Sequence, residues 1–396
     1  MRAGYRIVDA DRHIIEPVDL WQEYLEPEFI QYAPSHRSLP GQETMSERVQ
    51  RLGGRALVPL PPEIVIDGQP IVAKLSERAR IELALVAQRR AEMTRRALRP
   101  DTQLVAMDEE GVDIAYLYPT IASFAVAVDS MEPAVAAALA RAYNNWLHDF
   151  CSACPERLRG VGLISRHDPQ DMVSELQRIA GFGWTAVVLR PNPVKRRTLS
   201  HPDYETFWTE CERRSIAVSL HEGTHTHLPT TGYDRFSSRF ALHACSHPME
   251  QMMALLALIE GGVLDRHPGL RIALLEAGCG WLPYWLWRLD EVEYKSLAGE
   301  VEEHVRMKPS EYFRRQCFVT LEPEEPYLEG LIRFVGQESL LFGSDFPHFD
   351  HESDALDKAL GLERRLSSAV VHKMVWHNPH RFYRPVTHDH VGTAPT

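Results

Sequence analysis

Eight short runs of apolar and β-branched residues recur along this chain, at 5–11, 112–119, 161–165, 184–190, 216–221, 271–276, 317–321 and 340–345, and most are separated by helical patterns. Runs such as TAVVLR (185–190) and RIALLE (271–276) are apolar on both faces. That suits parallel strands buried between a barrel interior and a shell of helices, since a strand with one wet face would alternate apolar with polar residues. The segments 133–150, 168–179, 203–214, 248–263, 282–304 and 326–335 read as helices, with breaks at GFGW (181–184) and EGGV (260–263). The strand, helix, strand rhythm predicts an α/β chain, and eight such units predict a (β/α)8 TIM barrel. An open doubly wound sheet would usually carry a GxGxxG turn after its first strand, and none stands there.

At 396 residues the chain is long for one barrel and short for two enzyme domains. A single metal-dependent domain over 1–385 is therefore expected, with 386–396 as a flexible tail. The first two strand-like runs are separated by far more chain than one crossover needs, so 34–100 is expected to be an insertion after the first strand that caps the barrel mouth. Its later part, 75–98, has helical character and is rich in arginine. Such a stretch is either a solvated basic face or a surface that meets an anionic group of a substrate.

The net charge of −12 argues against a nucleic-acid partner, because holding phosphates requires a basic face. No apolar run is long enough to span a membrane, and the N-terminus lacks a signal-peptide profile, so a cytoplasmic protein with a small-molecule substrate is expected. Cys151 and Cys154 form the only CxxC pair, without a second pair for zinc, and the six cysteines read as reduced structural thiols. A homodimer is the default expectation for the assembly.

Three stretches carry chemistry. In VDADRH (8–13) the alternation points Asp9, Asp11 and His13 to one side of a strand end, where two of them can hold one metal. SLHEGTHTH (219–227) puts His221 on the last residue of the fifth strand, with His225 and His227 in its loop. FGSDFPH (342–348) puts Asp345 at the end of the eighth, followed by His348. Strand ends of a barrel converge on one face, so these N and O ligands from distant parts of the chain suit iron, zinc or manganese. His225, His227 and His348 are expected to support the site rather than ligate.

Taken in order, VDADRH, GVDIAYLYPT (111–120), RAYNNWL (141–147), PERLRGVGLI (155–164), the fifth-strand histidine, the stretch 261–291 and GSDFPH make the sequence resemble the amidohydrolase superfamily. The resemblance is to the branch related to aminocarboxymuconate semialdehyde decarboxylase. It implies an amidohydrolase-type barrel with Asp11, His13, His221 and Asp345 at the metal-binding positions, Asp11 replacing the first histidine of the usual HxH pair.

The sequence departs from that pattern at the end of the sixth strand. Where the decarboxylases and hydrolases carry a histidine in a context like HGGGxxP, this chain reads EAGCGWLP (276–283), and the histidine position is Ala277. A general acid or base within reach of the substrate is usually needed for those reactions. Glu276 stands beside the lost position, with His247 and Glu250 in the preceding segment, which gives enough carboxylates and histidines for two metals. The EAGxGWLP form resembles non-haem diiron monooxygenases of the same superfamily. That resemblance implies two iron ions held by Asp11, His13, His221, His247, Glu276 and Asp345, with Glu276 and Asp345 as catalytic carboxylates. The expected reaction is then hydroxylation of an unactivated carbon of a bulky, terpenoid-like or CoA-linked substrate by dioxygen, with an external electron donor. The alternative expectation is a hydrolase or decarboxylase with a single zinc or manganese, in which a carboxylate replaces the lost histidine.

Overall fold

A computed structural model describes residues 2–37, 63–223, 225–348 and 353–384. Its centre is a ring of parallel strands: β1 (Val8–His13), β2 (Ile114–Tyr118), β3 (Leu158–Gly160 continued by Gly162–Leu163), β4 (Ala186–Leu189), β5 (Ala217–His221), β6 (Ile272–Leu275), β7 (Cys317–Thr320) and β8 (Leu340–Leu341). Neighbours pair in sequence order, with the ladders running β1 to β3 and β3 to β8. Three backbone bonds bridge the seam between β8 and β1, from Ala10 N to Phe342 O at 2.9 Å, from Asp345 N to Asp11 O at 2.9 Å and from His13 N to Phe346 O at 2.7 Å. The expected (β/α)8 barrel is therefore the observed architecture.

Most element boundaries fall within a few residues of expectation, and the exceptions have local causes. β3 starts before 161 and is split at Val161, whose N–H bonds back to Leu117 O at 3.2 Å while Ile164 N bonds forward to Val188 O at 3.2 Å. The buried Asn144 of helix α2 (Pro133–Ser152) completes this strand, giving Nδ2 to Leu163 O at 2.9 Å and accepting Leu163 N at 2.8 Å. β8 pairs over two residues only, because the chain beyond it turns to bond β1. The helix expected at 248–263 begins at Arg239, where Ser238 Oγ accepts from Ala241 N, and carries Pro248 inside it. That helix, α5 (Arg239–Glu260), thereby buries His247 and Glu250 instead of leaving them at an exposed helix start. The helix expected over 282–304 breaks into Leu282–Arg288, a π turn at Leu289–Tyr294 and shorter pieces.

β1 contains a register shift between Asp9 and Arg12, so strict alternation fails there. Asp9 is consequently a structural acid: it accepts Ser344 N at 2.9 Å and Ser344 Oγ at 2.6 Å, and faces Arg12 Nη1 at 3.3 Å. Arg12, wholly buried, also bonds Glu110 at 2.7 Å and lies 4.0 Å over the ring of Phe346. Burial of two charges is tolerated only with such mutual pairing.

Between β1 and β2, a small antiparallel sheet (Ser35–Arg37, Glu63–Ile66, Gln69–Pro70) precedes helices Glu77–Arg89 and Ala91–Ala97. Residues 38–62 of the expected insertion and the expected tail at 386–396 lie outside the described residues. His227 Nε2 donates to Pro70 O at 2.7 Å, and Ile15 N bonds Ala97 O at 3.2 Å. Among the described residues no helix is long and apolar enough to cross a membrane.

Close approach of β3 to the helix shell leaves no room at Gly162, where an added Cβ would lie 2.4 Å from Ile179 Cδ1. Gly162→Ala should therefore destabilise the chain by about 1–3 kcal/mol, the usual cost of overpacking. Denaturant unfolding checks this, and an unchanged midpoint would show that the shell yields freely.

Candidate metal centre

The bulged end of β1 delivers Asp11 and His13, the last residue of β5 delivers His221, and the turns after β6 and β8 deliver Glu276 and Asp345. All are buried or nearly so. His13 Nε2 and His221 Nε2 face each other at 3.1 Å. Asp11 Oδ1 lies 3.6 Å from the first and 3.7 Å from the second, and Asp345 Oδ1 lies 3.4 Å from His13 Nε2. Ligand atoms of Asp11, His13 and His221 fall within 4.8 Å of one another, as do those of His13, Asp345 and His348.

The histidine tautomers follow from their other nitrogens. His13 Nδ1 lies 3.1 Å from Pro119 O and His221 Nδ1 lies 2.8 Å from Glu222 O. A carbonyl can only accept, so both Nδ1 atoms carry the proton and both Nε2 atoms present lone pairs. Burial above all pushes the His13 imidazole down to about 3 and holds His221 well below its ordinary range, so neither ring takes a second proton near neutrality. Two lone pairs facing at this distance call for a cation between them. Asp11 Oδ1, buried without a hydrogen-bond donor among the described residues, points to the same place. Burial raises the Asp11 carboxyl to about 6, opposed by His221, and a cation would return it to the carboxylate. These residues fit a metal ion.

Glu276 and Asp345 take left-handed backbone conformations, with φ of 51° and 52°. Non-glycine residues adopt these at a cost, and here hydrogen bonds hold them: Glu276 N donates to Thr320 Oγ1 at 3.0 Å, and Asp345 N to Asp11 O. Glu276 Oε2 lies 3.3 Å from His221 Nε2 and 3.5 Å from His247 Nε2, and so stands between the two rings. A cavity of about 530 Å³ opens beside the cluster, lined among others by Asp11, His247, Glu276 and Asp345.

His348, expected only as support, lies 2.7 Å from Asp345 Oδ1 through Nδ1 and 2.9 Å from Thr120 Oγ1 through Nε2. His227 bonds the small sheet, and His225 is buried in the β5 loop. Sequence reasoning missed Glu16, whose carboxyl accepts Thr120 N at 3.1 Å, Ile121 N at 2.8 Å and Ala122 N at 2.9 Å. It thereby fixes the turn that presents Pro119 O to His13. It also missed the chain beneath the cluster, where Tyr383 OH donates to Ala10 O at 2.6 Å, Tyr118 OH to Tyr383 OH at 2.7 Å, and Ser219 Oγ to Tyr118 OH at 2.7 Å. No local motif announces either, because the partners are distant in sequence.

Residues 8–384 match the Amidohydrolase family over its characteristic barrel. The chain belongs to the amidohydrolase family. Among curated proteins it is similar to gamma-resorcylate decarboxylase of Rhodococcus jostii, 27% identical over 286 residues that cover 65% of this chain and 81% of that one. It is also similar to 2-amino-3-carboxymuconate-6-semialdehyde decarboxylase of Dictyostelium discoideum, 25% identical over 63% of this chain and 66% of the relative. Among solved structures, an amidohydrolase from Mycobacterium avium subsp. paratuberculosis superposes with a TM-score of 0.75 at 19% identity, covering 96% of this chain and 99% of that one. The 5-carboxyvanillate decarboxylase of Novosphingobium aromaticivorans, solved with manganese and 4-hydroxy-3-methoxy-5-nitrobenzoic acid, superposes with a TM-score of 0.69 at 19% identity over 97% of each chain.

These named relatives are decarboxylases, not oxygenases, and they overturn the expected iron monooxygenase. The hydroxylation and the oxidoreductase class go with it. Two iron ions are not supported either. The two groups of potential ligands share His13 and so describe one site, while Glu276 and His247 join no third group among the described residues.

Removing the Glu16 carboxyl leaves one buried and two half-buried amide N–H groups without their acceptor. Glu16→Ala should cost on the order of 1–3 kcal/mol and release His13 from its fixed orientation. Thermal unfolding and manganese titration of the variant check both effects, and a fully retained metal affinity would remove Glu16 from the support of His13.

Proposed function

We propose that this amidohydrolase removes carbon dioxide from a small aromatic carboxylic acid, using one divalent cation held by Asp11, His13, His221 and Asp345. The observation that carries the reading is the pair of Nε2 lone pairs facing at 3.1 Å beside the Asp11 carboxylate. The named decarboxylases among the relatives supply the reaction class, and the manganese in one relative's structure favours that metal. When bound, the ion supplies Lewis acidity that orients the substrate's oxygens and draws electron density from them.

In this reading the carbon to carboxylate bond breaks, its electron pair stays on the ring carbon, carbon dioxide leaves, and a proton must reach that carbon. Glu276 is the proposed donor, next in sequence to Ala277, where the family's histidine is missing. His247, 3.5 Å from Glu276 Oε2 and lining the adjoining cavity, is proposed to return the proton. Residues 63–100 of the expected insertion touch the loops after β1 and β5 and are proposed to close the mouth and keep bulk water from the carbanionic carbon.

With manganese supplied, the protein should release carbon dioxide from members of a hydroxybenzoate panel and, in deuterium oxide, place one deuterium on the vacated carbon. His13→Ala and His221→Ala should stay folded and lose metal. Glu276→Gln should keep the metal and slow release by about 10²–10⁴-fold, as loss of a general acid does. Carbon dioxide release undiminished in Glu276→Gln would remove it as the donor, and absence of release from every aromatic acid by the manganese-loaded protein would sink the decarboxylase reading.

A further inference from the structure

Arg190 follows β4 directly, and the ladder sets its place. Val188 is level with Ser219 and Leu189 with Leu220, so Arg190 comes level with His221 and shares its side of the sheet. Its side chain is only 5% exposed. Nη1 makes one long contact, 3.4 Å to His221 O, whereas Nε and Nη2 are buried with no acceptor among the described residues. Buried guanidinium groups normally have these donors filled. The plane is held from one side by the ring of Phe124, 5.1 Å from Cζ, and from another by Gly223, where an added Cβ would lie 2.7 Å from Nη1 and 2.9 Å from Nη2. A side chain at 223 would push the guanidinium away.

We infer that Arg190 is the specificity-determining residue that receives an anionic oxygen of the substrate at the junction of β4 and β5, opposite the Asp345 side of the centre. A fork of two unfilled donors matches a carboxylate or phenolate, and the flanking Phe124 ring suits a flat aromatic body. The inference rests on the aromatic-acid reading above, but it concerns binding rather than turnover. The competing possibility is that Arg190 only balances the neighbouring buried Glu222, whose field it feels.

Binding by the manganese-loaded full chain separates the two. Salicylate and phenol, which differ by the carboxylate, are titrated by calorimetry against the wild type, Arg190→Met and Arg190→Lys, with metal content measured in each. Arg190→Met should weaken salicylate by about 10–100-fold, the worth of charge-assisted hydrogen bonds, and change phenol by less than about 3-fold. Arg190→Lys should recover part of the loss. Should Arg190→Met fail to fold, Gly223→Ala provides the second variant, displacing the guanidinium without removing its charge, and it should weaken salicylate selectively. Equal weakening of both ligands, or none, would overturn the assignment and leave Arg190 as Glu222's counter-charge. Selective salicylate binding in a protein that decarboxylates nothing would uphold Arg190 and sink the reaction instead.

Discussion

His13 and His221 approach through nitrogens that cannot donate to each other, and much of the surrounding structure serves to keep them there. Each ring spends its one proton on a carbonyl, Pro119 O for His13 and Glu222 O for His221, and burial prevents either from taking another. Without a cation the pair is unfavourable, so the barrel must over-determine it. Glu16 ties down the turn that carries Pro119, and the tyrosine chain ending on Ala10 O supports β1 from below. With a metal ion bound between them, the same lone pairs would become ligands and the opposition would be relieved.

The second constraint is the seam where the barrel closes. β8 is too short to hold β1 by strand pairing alone, and the job passes to individual bonds: Asp345 N to Asp11 O, Phe342 O from Ala10 N, and the Asp9 carboxyl to Ser344. The residues that close the ring are thus the immediate neighbours of those that line the site. Asp345 gains its left-handed turn from this closure, which aims its carboxyl at His13 instead of along the strand. The bulge in β1 has the same effect on Asp11, separating it from Asp9, whose carboxyl is spent on Arg12 and Ser344. Closing the fold and building the centre are one task here.

The choice of reaction turned on one short stretch, EAGCGWLP. An extra carboxylate beside a missing histidine can be counted as a ligand for a second metal or as a substitute acid, and composition alone does not separate these. Glu276 lies between His221 and His247, and among the described residues those two rings join no common ligand group. The carboxyl is placed to connect the centre to the cavity, a position suited to moving a proton.

What the sequence by itself determined was the barrel and the positions at strand ends. Buried parallel strands must be apolar on both faces, and that pattern is written locally, so the eight runs and the polar residues at their ends were legible, while the choice of Asp11, His13, His221 and Asp345 among those polar residues came from the family resemblance. Tertiary structure decided which of the polar residues meet. The separation of Asp9 from Asp11 depends on a bulge that no alternation reveals, and the burial of His247 depends on α5 starting at Arg239 and running through Pro248. Glu16 and Arg190 carried no motif at all. Their roles come from partners a hundred residues away or from donors left unfilled inside the closed ring, and both arise only when distant strands are brought into register.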